Sequence, residues 1–217
     1  MKHLYTFIFL VSFPGIILNA QSPQDSVYYY PGIRMMKKAT TSDQYLSASL
    51  YFEDLAAQFP DQWLALYYAG LGYINASYRV KGDDAKDDLL DKVQPFIDRA
   101  FKLKPEGPEI HVLQAFLYQS RLQVNPTLRG ITYSQKADAS LRKAVSVDPC
   151  NPRAYMLMGY NVFHTPVIFG GGPKNALPLF MKARDQYLVF TPEMPFSPNW
   201  GERENRQMIL LCKQTEK

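Results

Sequence analysis

One short phrase returns four times along the chain: a small residue, a bulky apolar one four positions on, another apolar or small one three further, then proline. It reads Ala48-Phe52-Leu55-Pro60, Val93-Ile97-Ala100-Pro105 and Ala137-Leu141-Ala144-Pro149. The last copy is Ala176-Phe180-Ala183, with Leu188 where proline would fall. Positions i, i+4 and i+7 share one face of a helix, and proline then ends it. A repeated helix of this kind cannot bury its apolar face alone, so copies must stack.

Offsets counted from each proline give a second helix. Six, nine, ten and thirteen residues on come Leu66, Ala69, Gly70 and Tyr73; then His111, Gln114, Ala115 and Tyr118; then Tyr155, Met158, Gly159 and Val162. The third site is small every time. Antiparallel helices approach to about 8 Å only through small contact residues. Gly70, Ala115 and Gly159 are therefore expected to meet Val93, Ala137 and Ala176.

Together these two phrases resemble the tetratricopeptide (TPR) repeat over roughly residues 43–188. The resemblance implies an all-α, short right-handed solenoid of about three TPR-like hairpins. The first helix departs from the pattern at His111 and Gln114. The small site of one helix and that of the next lie 23, 22 and 17 residues apart, against about twelve in a standard unit. Every A–B connection is thus enlarged, and stacked insertions emerge on one edge. A rim of long loops is expected there.

Helices are predicted near 43–58, 62–78, 84–103, 108–123, 132–147, 151–164 and 173–188. A capping helix near 201–213 follows Pro198-Asn199-Trp200. Residues 21–42 read as an N-terminal arm, extended over 21–32 around Tyr28-Tyr29-Tyr30-Pro31, and 43–217 as one helical domain.

The start of the chain is a targeting segment rather than fold. Met1-Lys2-His3 precedes an apolar stretch from Leu4 to Leu18, and Ala20 offers a cleavage point. Fifteen residues of helix reach only about 22 Å, short of the ~30 Å hydrocarbon core. Residues 1–20 are read as a signal peptide, leaving an exported, periplasmic or secreted protein without a transmembrane span. Formal charge falls from +4 to +3 once Lys2 is removed. Basic residues never cluster beyond Lys37-Lys38, which excludes a nucleic-acid footprint. Two cysteines, Cys150 and Cys212, are too few for a disulfide framework; separate buried thiols are expected, with a single bridge the other possibility.

No catalytic motif, metal pattern or cofactor fingerprint emerges. His111 takes a core position, whereas His164 ends its helix beside a long connection, where it caps the helix or touches a ligand. Gly170-Gly171-Gly172 before Pro173-Lys174 is either a turn opening a helix or an anion-binding loop. Asp83, Asp84, Asp87, Asp88 and Asp91 lack the glycine and glutamate of a calcium loop and suit the start of a helix.

Three phrases, Asn151-Pro152-Arg153-Ala154-Tyr155, Thr165-Pro166 through Phe169-Gly170-Gly171-Gly172, and Pro198-Asn199-Trp200-Gly201, resemble an exported bacterial family of TPR-like proteins. That resemblance implies location and fold, not activity. By TPR analogy the inner face carries Tyr67, Phe116, Gln119, Arg153 and Tyr160, with His164 at its end. Tyr67, Val112 and Met156 replace the lysines that TPR proteins use to clasp a peptide carboxylate. Either these rings line an open groove or they are core. The expected function is non-catalytic binding of a protein segment at Tyr67, Phe116, Gln119, Arg153, Tyr160 and His164. The alternative is capture of a small molecule, as in exported TPR-like transporter subunits, to whose loop Phe169–Lys174 bears a loose resemblance.

Overall fold

The computed structural model describes residues 26–215; the expected signal peptide and the first residues of the arm lie outside them. Among the described residues the chain forms α1 (Ser26–Lys38), α2 (Ser42–Gln58), α3 (Trp63–Ser77), α4 (Asp83–Asp91), α5 (Val93–Leu103), α6 (Pro108–Leu122), α7 (Pro126–Val147), α8 (Pro152–His164), α9 (Pro173–Val189) and α10 (Glu202–Gln214). A 3-10 turn at Val167–Phe169 precedes α9. The protein is an all-α, TPR-like solenoid.

Local chemistry sets the helix ends. Thr41 and Gln44 form a reciprocal capping box at α2. Asn125 and Asn151 accept hydrogen bonds from the N–H groups of Leu128 (3.1 Å) and Ala154 (3.0 Å), each followed by proline at the first helical position. At the far ends α2, α5 and α7 stop before Pro60, Pro105 and Pro149. α9 meets Leu188 instead and runs on to Val189.

The first three residues of every copy of the repeated phrase, twelve in all from Ala48 to Ala183, are buried. Gly70, Ala115 and Gly159 are buried opposite them. A Cβ on Gly70 would stand 3.3 Å from Val93 Cγ1, and one on Gly159 2.6 Å from the Phe180 ring. The helices pair as α3 with α5, α6 with α7 and α8 with α9, and α10 covers α9.

Three expectations need correction. The arm is not extended over 26–32: it is helix α1, which packs on α2 as a further hairpin. Gly32 plays the close-approach role, since its Cβ would fall 2.6 Å from Phe52 Cζ and from Tyr51 Cδ1. Second, the predicted helix over 84–103 is two, α4 and α5, because Pro95 has no N–H to continue the ladder through Lys92. Third, the rim is not all loop. The first insertion is α4, and the second largely lengthens α7 by starting it at Pro126. Only the third, Thr165–Gly172, is irregular.

Asp87 and Asp91 of α4 hold the neighbouring hairpin. Asp87 receives both Arg129 guanidinium nitrogens at 2.7 Å, and Asp91 receives Arg121 at 2.7 Å. Among the described residues no acidic or histidine cluster is arranged to hold a metal. Cys150 is exposed rather than buried, Cys212 is buried in α10, and no bridge joins them.

Candidate functional site

The inner face is lined by α3, α6 and α8, and its floor is crossed by the protein's own chain. Residues 190–201, between α9 and α10, lie across the inner helices as a strap. Phe196 is fully buried; its ring stacks on Tyr29 at 4.7 Å and its carbonyl accepts the Tyr68 hydroxyl at 2.8 Å. Trp200 donates its indole N–H to the Tyr67 hydroxyl at 2.8 Å and accepts Tyr187 on its carbonyl at 3.0 Å. Phe116 and Trp200 each pack against both halves of the core, so the strap joins hairpins distant in sequence.

Beneath the strap lies a buried ion pair. Arg153 is 1% exposed, and its Nε and Nη2 bind Glu109 at 2.7–3.0 Å. Asn151 adds a hydrogen bond to Glu109 at 2.6 Å. Phe190 covers the guanidinium, 4.4 Å from ring centroid to Cζ. A charge taken from water needs such compensation. The pair holds the N-terminal ends of α6 and α8 together. A cleft of about 180 Å³ adjoins it, lined by Trp63, Lys104, Glu109, Arg153, Phe190 and Glu193 among others, with Lys104 on Glu193 at 3.4 Å.

The six residues expected to bind a partner therefore separate. Tyr67 and Arg153 sit under the strap as structure. Burial holds the Tyr67 hydroxyl well above the usual phenol range, so it stays neutral. Gln119 is half-buried and donates its side-chain amide to the Leu157 carbonyl at 2.8 Å, locking α6 to α8. Phe116, Tyr160 and His164 remain at the accessible part of the inner face.

There the rings form a shelf. Tyr78 stacks on Phe116 at 5.9 Å, and Phe116 on Trp200 at 5.5 Å, with planes inclined by 30° and 26°. Along α8, Tyr160 stacks with His164 at 6.5 Å, and Phe163 meets the same imidazole edge-on at 5.1 Å. Such offset geometries suit aromatic rings, and Phe116 is stacked on both Tyr78 and Trp200. Burial pushes the Tyr160 phenol up to about 12 and lowers the His164 pKa. Both side chains are neutral at neutral pH. Among the described residues the other histidine, His111, is half-buried and packs its ring on Phe101 at 4.7 Å, in the core position expected of it.

Tyr78, Trp200 and the strap escaped sequence reasoning. The prolines Pro192, Pro195 and Pro198, interleaved with Phe196 and Trp200, were the available signal of an extended aromatic segment. The glycine loop is held by its own hydrogen bonds. Gly170 and Gly172 have φ of 81° and 92°, where glycine alone is unstrained. The N–H groups of Gly170, Gly171 and Gly172 go to the carbonyls of Val167, Pro166 and Val162. The three glycine N–H groups are thus engaged within the loop, which leaves the anion-binding reading of Gly170, Gly171, Gly172 and Lys174 only Lys174 and the first N–H groups of α9 as donors.

Fold and site define a TPR-like helical repeat protein with a binding or scaffold role. Solved structures similar to it include two helical repeat proteins. HusA haemophore from Porphyromonas gingivalis is 27% identical, with 91% of this chain and 96% of that chain covered and a TM-score of 0.79. A thermophilic TPR protein of Thermus thermophilus is 16% identical over 90% of this chain and 84% of that one, with a TM-score of 0.62, a likeness of fold. Neither is described as an enzyme. No family model matches the chain, and no curated protein does. No helix among the described residues is long and apolar enough to cross a membrane.

Proposed function

We propose that this protein is a non-catalytic, exported carrier whose aromatic shelf holds a flat, largely apolar ring molecule of the haem type. The observation that carries the reading is the strap. It occupies the floor along which an extended protein segment would run, and leaves a short ring-lined surface at Tyr78, Phe116, Tyr160 and His164. A partner segment laid along the inner face, the occupant favoured by sequence, would have to displace Phe196 and Trp200. A planar ligand would pack on the exposed edge of this surface, at Tyr78 and His164, with His164 offering an imidazole nitrogen. The likeness to a haemophore at 27% identity supports the same class of ligand.

Titration with haemin and with iron-free protoporphyrin, followed by absorbance, tests the proposal. Phe116→Ala and Tyr160→Ala are each expected to weaken both ligands by about tenfold or more, the scale of one lost aromatic contact. His164→Ala should alter the haemin spectrum and leave protoporphyrin binding unchanged. Absence of binding by either tetrapyrrole, or affinity indifferent to both ring substitutions, overturns it.

A further inference from the structure

The cleft beside the buried ion pair stands apart from the shelf. It opens where α3, α6 and α8 begin, at Trp63, Pro108 and Arg153, whereas Tyr78, Phe116, Tyr160 and His164 lie toward the far ends of those helices. Phe190 and Glu193 bring the strap into its lining. Its polar groups are underused. Arg153 binds Glu109 through Nε and Nη2, but Nη1 is buried without a partner. A buried donor left unpaired carries a desolvation cost that a ligand oxygen would relieve. Phe190 covers the guanidinium and is itself only half-buried, so a ligand that turns this ring aside gains access to it. Lys104 makes a long contact with Glu193, 3.4 Å, where charge-assisted bonds run to about 2.7–2.9 Å. Half-buried Asp148 accepts the Cys150 N–H on Oδ1 at 2.9 Å.

Size and charge select the occupant. The cleft's 180 Å³ is small beside the roughly 300–1,000 Å³ of pockets for drug-sized molecules, which excludes a tetrapyrrole and suits a compact ligand. Three carboxylates, Glu109, Asp148 and Glu193, face two cations, Lys104 and Arg153, in the lining. A plain anion is therefore disfavoured. Glu109 is already engaged by Arg153 and Asn151. What remains is a donor pair, Lys104 and Arg153 Nη1, and an acceptor pair, Asp148 and Glu193. A molecule with both a carboxylate and an ammonium matches the two pairs, and the half-buried rings of Trp63 and Phe190 offer contact to an apolar body.

We infer that this cleft holds a small zwitterion, a free α-amino acid with an apolar side chain. Its carboxylate meets Lys104 and Arg153, its ammonium meets Asp148 and Glu193, and its side chain packs on Trp63 and Phe190. The inference is independent of what the shelf carries. Calorimetric titration of the full-length mature protein with L-leucine and with L-phenylalanine, in the absence of any tetrapyrrole, tests it. At least one of the two is expected to bind. For leucine the controls are 4-methylpentanoate, which lacks the ammonium, and isoamylamine, which lacks the carboxylate; for phenylalanine they are 3-phenylpropanoate and phenethylamine. Each control should bind at least about tenfold more weakly than its parent, the scale of one charge-assisted contact. Lys104→Met and Glu193→Gln should each weaken the amino acid by about tenfold. Their mutual contact is a surface ion pair, so an unchanged circular dichroism melt is expected of both variants. Failure of both amino acids to bind would overturn the inference. A carboxylate control that binds as well as its parent would overturn it and leave a plain anion site. An amine control that binds as well would overturn it in favour of a cation site. Affinity indifferent to both substitutions would place the ligand elsewhere and overturn it equally.

Discussion

Trp200 gives its indole hydrogen to the Tyr67 hydroxyl at 2.8 Å across 133 positions of sequence. One end of the bond belongs to the first strongly legible repeat and the other to the strap. The bond is half-buried and the Tyr67 ring wholly so. Its loss strands a hydroxyl away from water. Trp200→Phe is therefore expected to cost about 1–3 kcal/mol. Urea denaturation of Trp200→Phe, Tyr67→Phe and the double variant should give a coupling of about 0.5 kcal/mol or more. Simple additivity would mean the strap is not fastened here.

Glu109 and Arg153 should behave asymmetrically. Glu109→Gln leaves a guanidinium at 1% exposure without its counter-charge, and a cost of about 3–5 kcal/mol follows. Glu109→Gln with Arg153→Met removes both charges and should recover most of that loss. Equal damage in single and double variants, read from urea midpoints, would mean the pair is not the source of the effect.

The close-approach glycines should differ by their clearance. Alanine at Gly159 would press on the Phe180 ring from 2.6 Å and should cost about 1–3 kcal/mol. At Gly70 the nearest atoms stand at 3.3 Å, and a helix-propensity gain of about 0.8–1 kcal/mol opposes the crowding. Gly70→Ala should thus be near neutral. Melting temperatures of the two variants decide the matter.

His111 sets part of the response to acid. Burial lowers its pKa, with Lys143 adding to the effect, and Nε2 is buried without a partner. Its folded pKa lies below the unfolded value of about 6.5, so the unfolded chain takes up the proton first. Stability should fall as pH drops from about 6.5 toward the folded pKa, then level off for this group. His111→Phe should remove that limb, seen as a smaller difference in urea midpoint between about pH 7.5 and about pH 5. An unchanged difference would assign the limb elsewhere.

Asp87 acts at lower pH. The hydrogen bonds from Arg129 hold its carboxyl below the ordinary range, against a smaller opposing effect of burial. The stabilisation is present above the unfolded value of about 3.9 and is lost as pH falls through the folded pKa. Asp87→Asn should flatten the stability profile below about pH 4 and leave its shape above about pH 5 unchanged, as urea midpoints across that range would show.

The depth of each helix was legible because close packing writes itself at fixed spacing. Ala48, Phe52 and Leu55 announce a buried stripe without any knowledge of their neighbours. Gly32 marks a hairpin by the same rule, but Pro31 and the tyrosine run argued for extended chain and masked it. Local signals placed α4 inside one helix over 84–103 and missed the break at Lys92, for which Pro95 was the available sign. The shelf was half legible. Phe116, Tyr160 and His164 follow from helix register, whereas Tyr78 and Trp200 gain their positions from contacts that no local pattern encodes. Tyr67 and Arg153 were assigned to a surface that the strap covers, because sequence cannot say which way a linker returns.

Leucine at position 188 lets α9 overrun the place where the other B helices break, and the chain then turns back across the units already laid down. An array so fastened has a definite length. A further hairpin inserted after α9 would draw Phe196 off Tyr29 and Trp200 off Tyr67, so growth by duplication at that end would undo the clasp that holds the earlier units in place.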